Sequence, residues 1–170
     1  RLGLTSAAQA SGWQVSRWID DRSLRRREMK GYVTLKTESG ANERVAIVPD
    51  GFFSLVQGEK LSHHFVEVDL ATVVGLSSKS GRRDWARKVR AYLAYHQSGQ
   101  YKARYGAQEF RVLTVTTGQG RLENLRAITE EAGGKHRFWF TTFEQLATMH
   151  LLTEPVWSHA GQHDPRSLVW

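Results

Sequence analysis

Three acidic side chains in the stretch 44–70 lie within apolar runs, or at the ends of apolar runs, that are typical of β-strands. Asp50 follows one such run, and Glu67 and Asp69 lie within the next. Since side chains alternate across a strand with period two, Glu67 and Asp69 project from the same face. Burying them is costly unless a cation or hydrogen-bond donors meet them. If a neighbouring strand brings Asp50 alongside, the three carboxylates form the oxygen ligand set that Mg²⁺ or Mn²⁺ prefers.

A purely structural interpretation of the same residues is also open. Pro49-Asp50-Gly51 is a strong turn sequence, because Pro presets φ, Asp bonds its own backbone and Gly tolerates positive φ. In that case Asp50 only makes a hairpin. Glu67 and Asp69 would then form the solvated face of an edge strand.

Composition narrows the class of protein. A chain of 170 residues without cysteine fits one domain that has neither disulfides nor a thiolate zinc site. It contains no apolar run long enough to cross a bilayer and no secretory signal, so we expect a soluble, cytoplasmic protein with no membrane partner. The formal charge of +7 makes a polyanion, and DNA first, the expected partner.

Periodicity predicts strands before the long helix. Residues 5–21 have helical spacing interrupted near Gly12, which indicates one or two short helices. Alternating β-rich runs then predict an antiparallel meander that carries the three acids. Its strands are Gly31–Lys36, Arg44–Val48, Phe52–Gln57 and His63–Leu70.

A helix over Arg82–Ser98 is predicted to lie on the sheet through an apolar stripe. Lys88 falls at the border of that stripe, and the opposite face is basic through Arg82, Arg83, Arg87 and Arg90. The runs Phe110–Thr116, Arg121–Ala132 and Arg137–Thr141 then predict strand, helix and strand, followed by a last helix over Phe143–Leu151. The predicted fold class is therefore α/β, a three-layer mixed sheet with helices on both faces.

Five sequence pieces in this order resemble a known family. They are VPDGFFSL, FVEVDLAT, WARKVRAYLAYHQSGQY, FRVLTVTTGQGRLENLR and RFWFTTFEQL. The order of elements resembles the PD-(D/E)xK nucleases, and the pieces resemble the replication-relaxation proteins of plasmids and mobile elements. The resemblance implies a restriction-endonuclease-like core over residues 31–157 and a tail over 158–170. It also implies that the helical segment 1–30 follows a winged-helix region.

The resemblance assigns roles to individual residues. It makes Asp50 the aspartate of the Pro-Asp motif and Glu67 the acid of the (D/E)xK motif, both as ligands of Mg²⁺ or Mn²⁺. Asp69 occupies the third motif position in place of lysine and is expected to add a ligand or to orient the metal or water. We expect Lys88, or less favourably Lys79, to supply the missing positive charge near the phosphate.

Two functions follow, and the sequence does not choose between them. One is a metal-dependent DNA endonuclease in which Arg82, Arg83, Arg87 and Arg90 hold flanking phosphates. The other is an accessory domain that has lost cleavage and that binds DNA or a replication or transfer protein. A further interpretation, that late tryptophans such as Trp139 and Trp157 anchor a partner, competes with their commoner burial in the core.

Overall fold

The computed structural model describes residues 2–26, 29–37, 39–70, 79–162 and 164–169, which form six helices and eight strands. The N-terminal elements are α1 (Leu2–Ala10), β1 (Gln14–Asp20), α2 (Asp21–Leu24), β2 (Gly31–Lys36), β3 (Asn42–Ile47), β4 (Gly51–Gln57) and β5 (Lys60–Asp69). The later elements are α3 (Lys79–Gln97), α4 (Gln100–Tyr105), β6 (Arg111–Thr116), α5 (Gln119–Glu131), β7 (Phe138–Thr142), α6 (Phe143–Thr148) and β8 (Ser158–His159).

Six of these strands form one mixed sheet in the order β1-β4-β5-β6-β7-β8. β4 is antiparallel to both β1 and β5, whereas β5, β6 and β7 are parallel and β8 is antiparallel to β7. The parallel pairs are joined through α3 and α5, because parallel neighbours need a crossover connection. The predicted mixed α/β fold with an antiparallel part followed by strand-helix units is thus confirmed.

Each face of the sheet is covered by a separate apolar cluster. On one face, α3, α4 and α5 pack over an aromatic cluster that includes Phe52, Phe65 and Phe140. On the other face, α1 and the C-terminal segment cover a cluster that includes Phe53 and Leu113. Trp139 and Trp157 are buried in this second cluster, so core packing accounts for both late tryptophans.

The prediction of helix over all of residues 5–21 is wrong in its second half. α1 ends at Ala10, Gly12 turns the chain with φ of 73°, and Gln14–Asp20 form the edge strand β1. The apparent helical spacing arises from a register shift between Val15 and Arg17, where β1 pairs with β4. Pairing with β4 therefore overrides a weak local preference.

The predicted continuous meander is also wrong at one point. β2 and β3 pair as expected, but they form their own two-stranded sheet, which packs on α3 and not beside β4. Gly31 permits this close approach, because a Cβ at that position would lie 2.7 Å from a ring carbon of Tyr95. Asp50 thus lies in the short connection from this hairpin to β4.

The long helix is confirmed as α3, which begins at Lys79 and ends at Gln97. The loop predicted over Gly75–Gly81 lies outside the described residues at positions 75–78. The segment predicted as a loop after α3 contains the helix α4, which lies between Gly99 and Gly106, both with φ of 72°. Burial of Tyr101 and Tyr105 against the sheet stabilises this short helix.

Candidate functional site

Glu67 lies on β5 and is buried, with 3% of its surface exposed. Its Oε2 accepts a hydrogen bond from Lys88 Nζ at 2.6 Å, and its Oε1 accepts one from the Tyr92 hydroxyl at 2.6 Å. Lys88 and Tyr92 are four residues apart on α3, so both face the strand. As expected for a buried acid, Glu67 has a cation beside it, the Lys88 amine, and a neutral hydrogen-bond donor, the Tyr92 hydroxyl.

Burial raises the pKa of the Glu67 carboxyl, and the contacts with Lys88 and Tyr92 only partly oppose that effect. Burial alone lowers the pKa of the Lys88 amine, but the Glu67 carboxylate outweighs it and the net pKa is raised. Burial also raises the pKa of the Tyr92 hydroxyl well above its ordinary value, which keeps it a donor. The three groups therefore form a coupled acid, cation and hydroxyl set.

Asp50 lies near this set and not on a distant surface. Its Oδ2 accepts a hydrogen bond from the backbone N–H of Val68 at 2.8 Å, which ties the start of β4 to β5 beside Glu67. The charge of Asp50 also acts to raise the pKa of both Glu67 and Lys88, after burial and the direct contacts. Arg25 Nη2 lies 3.9 Å from Asp50 Oδ1. The structure thus brings the acids of two β-segments to one end of the sheet.

Asp69 projects from the same face of β5 as Glu67 but has different partners. Both of its carboxylate oxygens contact the Arg121 guanidinium, with Nη2 2.7 Å from Oδ1, and Oδ2 also accepts from Thr116 Oγ1 at 2.6 Å. Arg121 lies in the first turn of α5, the helix after β6. A metal ion at Asp69 would have to displace that guanidinium.

A cleft of about 240 Å³ joins the two ion pairs. Glu67 and Asp69 form its floor, Lys88 and Asp84 line it from α3, and Arg121 lines it from α5. Its position follows from the topology, because the carboxyl ends of adjacent parallel strands open between their crossover helices. The cleft thus carries acids of β5 and two cations from different helices.

The arrangement of the acids determines how they could bind a metal ion. Within the described ranges, no group of three or more His, Cys, Asp or Glu residues is placed to hold a metal ion. Mg²⁺, however, is commonly bound through one or two carboxylates, with waters and substrate phosphates completing its octahedron. An ion at Asp50 and Glu67 would therefore need waters and a phosphate to complete its shell, and it would have to compete with the Lys88 and Tyr92 hydrogen bonds to Glu67.

The four arginines predicted to bind phosphates share α3 but differ in their surroundings. Arg82 Nη2 lies 2.9 Å from Glu131 Oε2, and Arg87 forms a bidentate ion pair with Glu43 of β3. Arg83 and Arg90 are exposed. Two of the four thus hold neighbouring elements in place, while the outer side of α3 remains basic.

Sequence reasoning missed two participants. The sequence alone does not identify Tyr92 or Arg121 as a site residue, yet the Tyr92 hydroxyl donates to Glu67 and the Arg121 guanidinium contacts Asp69. Spacing gives a signal for Tyr92, which lies one helical turn after Lys88 on the same face. No comparable signal exists for Arg121, because its contact with Asp69 joins residues 52 positions apart.

Together, the fold and the cleft define a mixed α/β domain with an acid and lysine site at the end of its central strands. The family model described as replication-relaxation matches residues 4–110. The chain therefore belongs to the replication-relaxation family. That membership indicates a role in plasmid replication or mobilisation.

Other comparisons add no relatives, since no curated protein and no solved structure matches the chain. None of the helices that the structure describes is both long and apolar enough to span a bilayer.

Proposed function

We propose that this domain acts on DNA during plasmid replication or mobilisation, and that its cleft hydrolyses a phosphodiester bond with Mg²⁺ or Mn²⁺. The observation that carries the proposal is the 2.6 Å contact between Lys88 Nζ and Glu67 Oε2. It supports Lys88 as the cation that a PD-(D/E)xK nuclease normally places two residues after its acid. Here that position is Asp69, and the lysine comes from the following helix.

Each side chain has a defined task in this proposal. Asp50 and Glu67 would hold the ion, which supplies Lewis acidity to the scissile phosphate and activates water. The Tyr92 hydroxyl fixes the rotamer of Glu67, and the Lys88 amine, whose raised pKa keeps it protonated, stabilises the charge that develops on the phosphate. Asp69 holds Arg121 at the opposite wall, where its guanidinium can bind a phosphate oxygen.

Incubation of the purified protein with supercoiled plasmid tests this function. The wild-type chain is expected to nick the plasmid with Mg²⁺ or Mn²⁺ and not with a chelator. Asp50→Ala and Glu67→Gln are expected to lose at least about 100-fold in rate, since each removes a proposed ligand. Absence of metal-dependent nicking over a broad pH range would contradict the proposal.

A second candidate function is a DNA-binding accessory domain without chemistry. It is favoured by Asp69, whose carboxylate is neutralised by Arg121, and by the lack of a three-ligand group among the described residues. In this alternative the ion pairs only stabilise the sheet end, and the basic side of α3 binds DNA or carries a replication or transfer protein. Duplex binding measured by fluorescence anisotropy would then persist unchanged in Glu67→Gln, and no metal would give nicking.

A further inference from the structure

The hairpin β2–β3 presents one face to solvent. Register pairs Tyr32 with Ala46, Thr34 with Arg44 and Lys36 with Asn42, and these three pairs lie on the face turned away from α3. The alternate pairs face the core, where Val33 and Val45 are buried. We propose that this outward face is a DNA-reading ribbon that enters the major groove of duplex DNA. The inference deepens the proposed function and rests on DNA being the partner.

The shape of the hairpin fits that groove. A two-stranded β-ribbon is one of the two elements that the major groove, about 12 Å wide, admits. Positions 32 to 36 span roughly 13 Å at about 3.3 Å per residue, close to four base-pair steps. β2 and β3 form their own sheet apart from the six-stranded one, and among the residues that the structure describes no third strand pairs with either of them.

The side chains on the outward face fit base edges and phosphates. Arg44 and Asn42 are the side chain types that pair with guanine and adenine, and Thr34 can donate or accept. Lys36 adds a second positive charge, and the described part of this face carries no carboxylate. An acidic protein would match the charge as well, but the hydrogen-bonding set and the ribbon shape favour duplex DNA.

The Arg44 guanidinium is positioned by an aromatic ring. Its guanidinium carbon lies 3.9 Å from the centre of the Tyr32 ring, so the planar group is stacked at the surface of the ribbon. Stacking reduces the conformational entropy that a long side chain loses on binding.

The base of the hairpin is fixed to two helices. Gln100 of α4 donates to the Tyr32 carbonyl at 3.0 Å, Arg104 of α4 donates to the carbonyl of Met29, and Arg87 of α3 pairs with Glu43. A ribbon on a rigid support can present side chains in one geometry, which sequence reading requires.

The ribbon also lies next to the acid cleft. A cavity of about 240 Å³ lies between the end of β3 and α3, and its lining includes the inward-facing Ile47 together with Glu67 and Lys88. The hairpin and the Glu67–Lys88 pair thus border one cavity.

Duplex binding by ribbon variants tests the inference. The probe is a mixed-sequence duplex of roughly three helical turns, measured by fluorescence anisotropy without metal. Arg44→Ala and Asn42→Ala are each expected to weaken binding about 10-fold. Arg166→Ala removes one exposed charge from the C-terminal segment and is the matched control, expected to change binding less than about 2-fold.

A second duplex places glucosylated 5-hydroxymethylcytosine at its cytosines, so that sugars fill the major groove. Wild type is expected to bind this duplex about 10-fold more weakly than the unmodified duplex. The affinity of Arg44→Ala is expected to differ much less between the two duplexes. Normal binding by both ribbon variants, or no effect of the sugars, would overturn the ribbon while leaving the proposed cleavage untouched. Failure of the wild type to bind duplex DNA would overturn both proposals. Arg44-dependent binding without any nicking would overturn cleavage alone.

Discussion

At the scale of single residues, the cleft is built from charges that the fold itself holds in place. Glu67 is buried at a cost that its contacts with Lys88 and Tyr92 offset only partly, so its pKa is raised. Sites with chemistry commonly keep such an unfavourable group, because the same burial that costs stability strengthens electrostatic interactions in the site.

Replacement of Glu67 is expected to change how the free energy of unfolding depends on pH. A carboxyl whose folded pKa is raised destabilises the protein as pH rises above the unfolded value of 4.5, because the unfolded chain then ionises more readily. Glu67→Gln removes that pH dependence and keeps an acceptor for Tyr92, but it also leaves the Lys88 amine without its carboxylate partner, which costs stability.

Urea unfolding over a range of pH checks this expectation. The free energy of unfolding of Glu67→Gln should rise relative to that of wild type as pH rises above 4.5, and the difference should be constant well below that pH. Glu59→Gln, in the exposed turn between β4 and β5, is the control. A stability difference that does not change with pH would contradict the assignment.

The Asp69–Arg121 pair is expected to be energetically coupled, because the two side chains are only 18% and 17% exposed. A double-mutant cycle with Asp69→Asn and Arg121→Gln should give a coupling free energy of about 1–3 kcal/mol in urea unfolding. The exposed pair Arg82–Glu131 is the matched comparison, with an expected coupling below about 0.5 kcal/mol. Equal coupling in both pairs would argue against a structural role for Arg121.

At the scale of elements, the site depends on where α3 lies between the sheet and the β2–β3 hairpin. Much of this was predictable, since Lys88 and the apolar stripe of α3 follow from helical spacing, and the common face of Glu67 and Asp69 follows from strand alternation. The separation of the hairpin from the main sheet was not predictable. It depends on tertiary contacts such as that between Gly31 and Tyr95, which sequence spacing does not encode.

Gly31→Ala tests the docking of the hairpin on α3. The added Cβ would lie 2.7 Å from a ring carbon of Tyr95, so the hairpin or the ring must move, and we expect a loss of about 1–3 kcal/mol in stability. Gly120→Ala is the control, because nothing lies within 4 Å of its added Cβ and the residue is in α5. A tolerated Gly31→Ala would indicate that the hairpin contact is loose.

At the scale of the whole molecule, the formal charge of +7 and the basic side of α3 predict salt-sensitive DNA binding. Contact with three to five phosphates would give a slope of about −3 to −5 when log affinity is plotted against log salt concentration. Arg90→Ala, at an exposed position of α3, should reduce the steepness by about 1, whereas Glu67→Gln should not reduce it. A flat salt profile would exclude phosphate contacts as the basis of binding.

The proposed cleavage depends on Lys88, whose amine contacts Glu67 and is proposed to replace the lysine of the PD-(D/E)xK motif in this member of the replication-relaxation family. The most direct measurement is the initial rate of Mg²⁺-dependent plasmid nicking by Lys88→Ala beside Lys102→Ala, an exposed lysine of α4. Our account predicts a loss of at least about 100-fold for Lys88→Ala and a normal rate for Lys102→Ala. A nicking rate of Lys88→Ala equal to that of wild type would contradict our account.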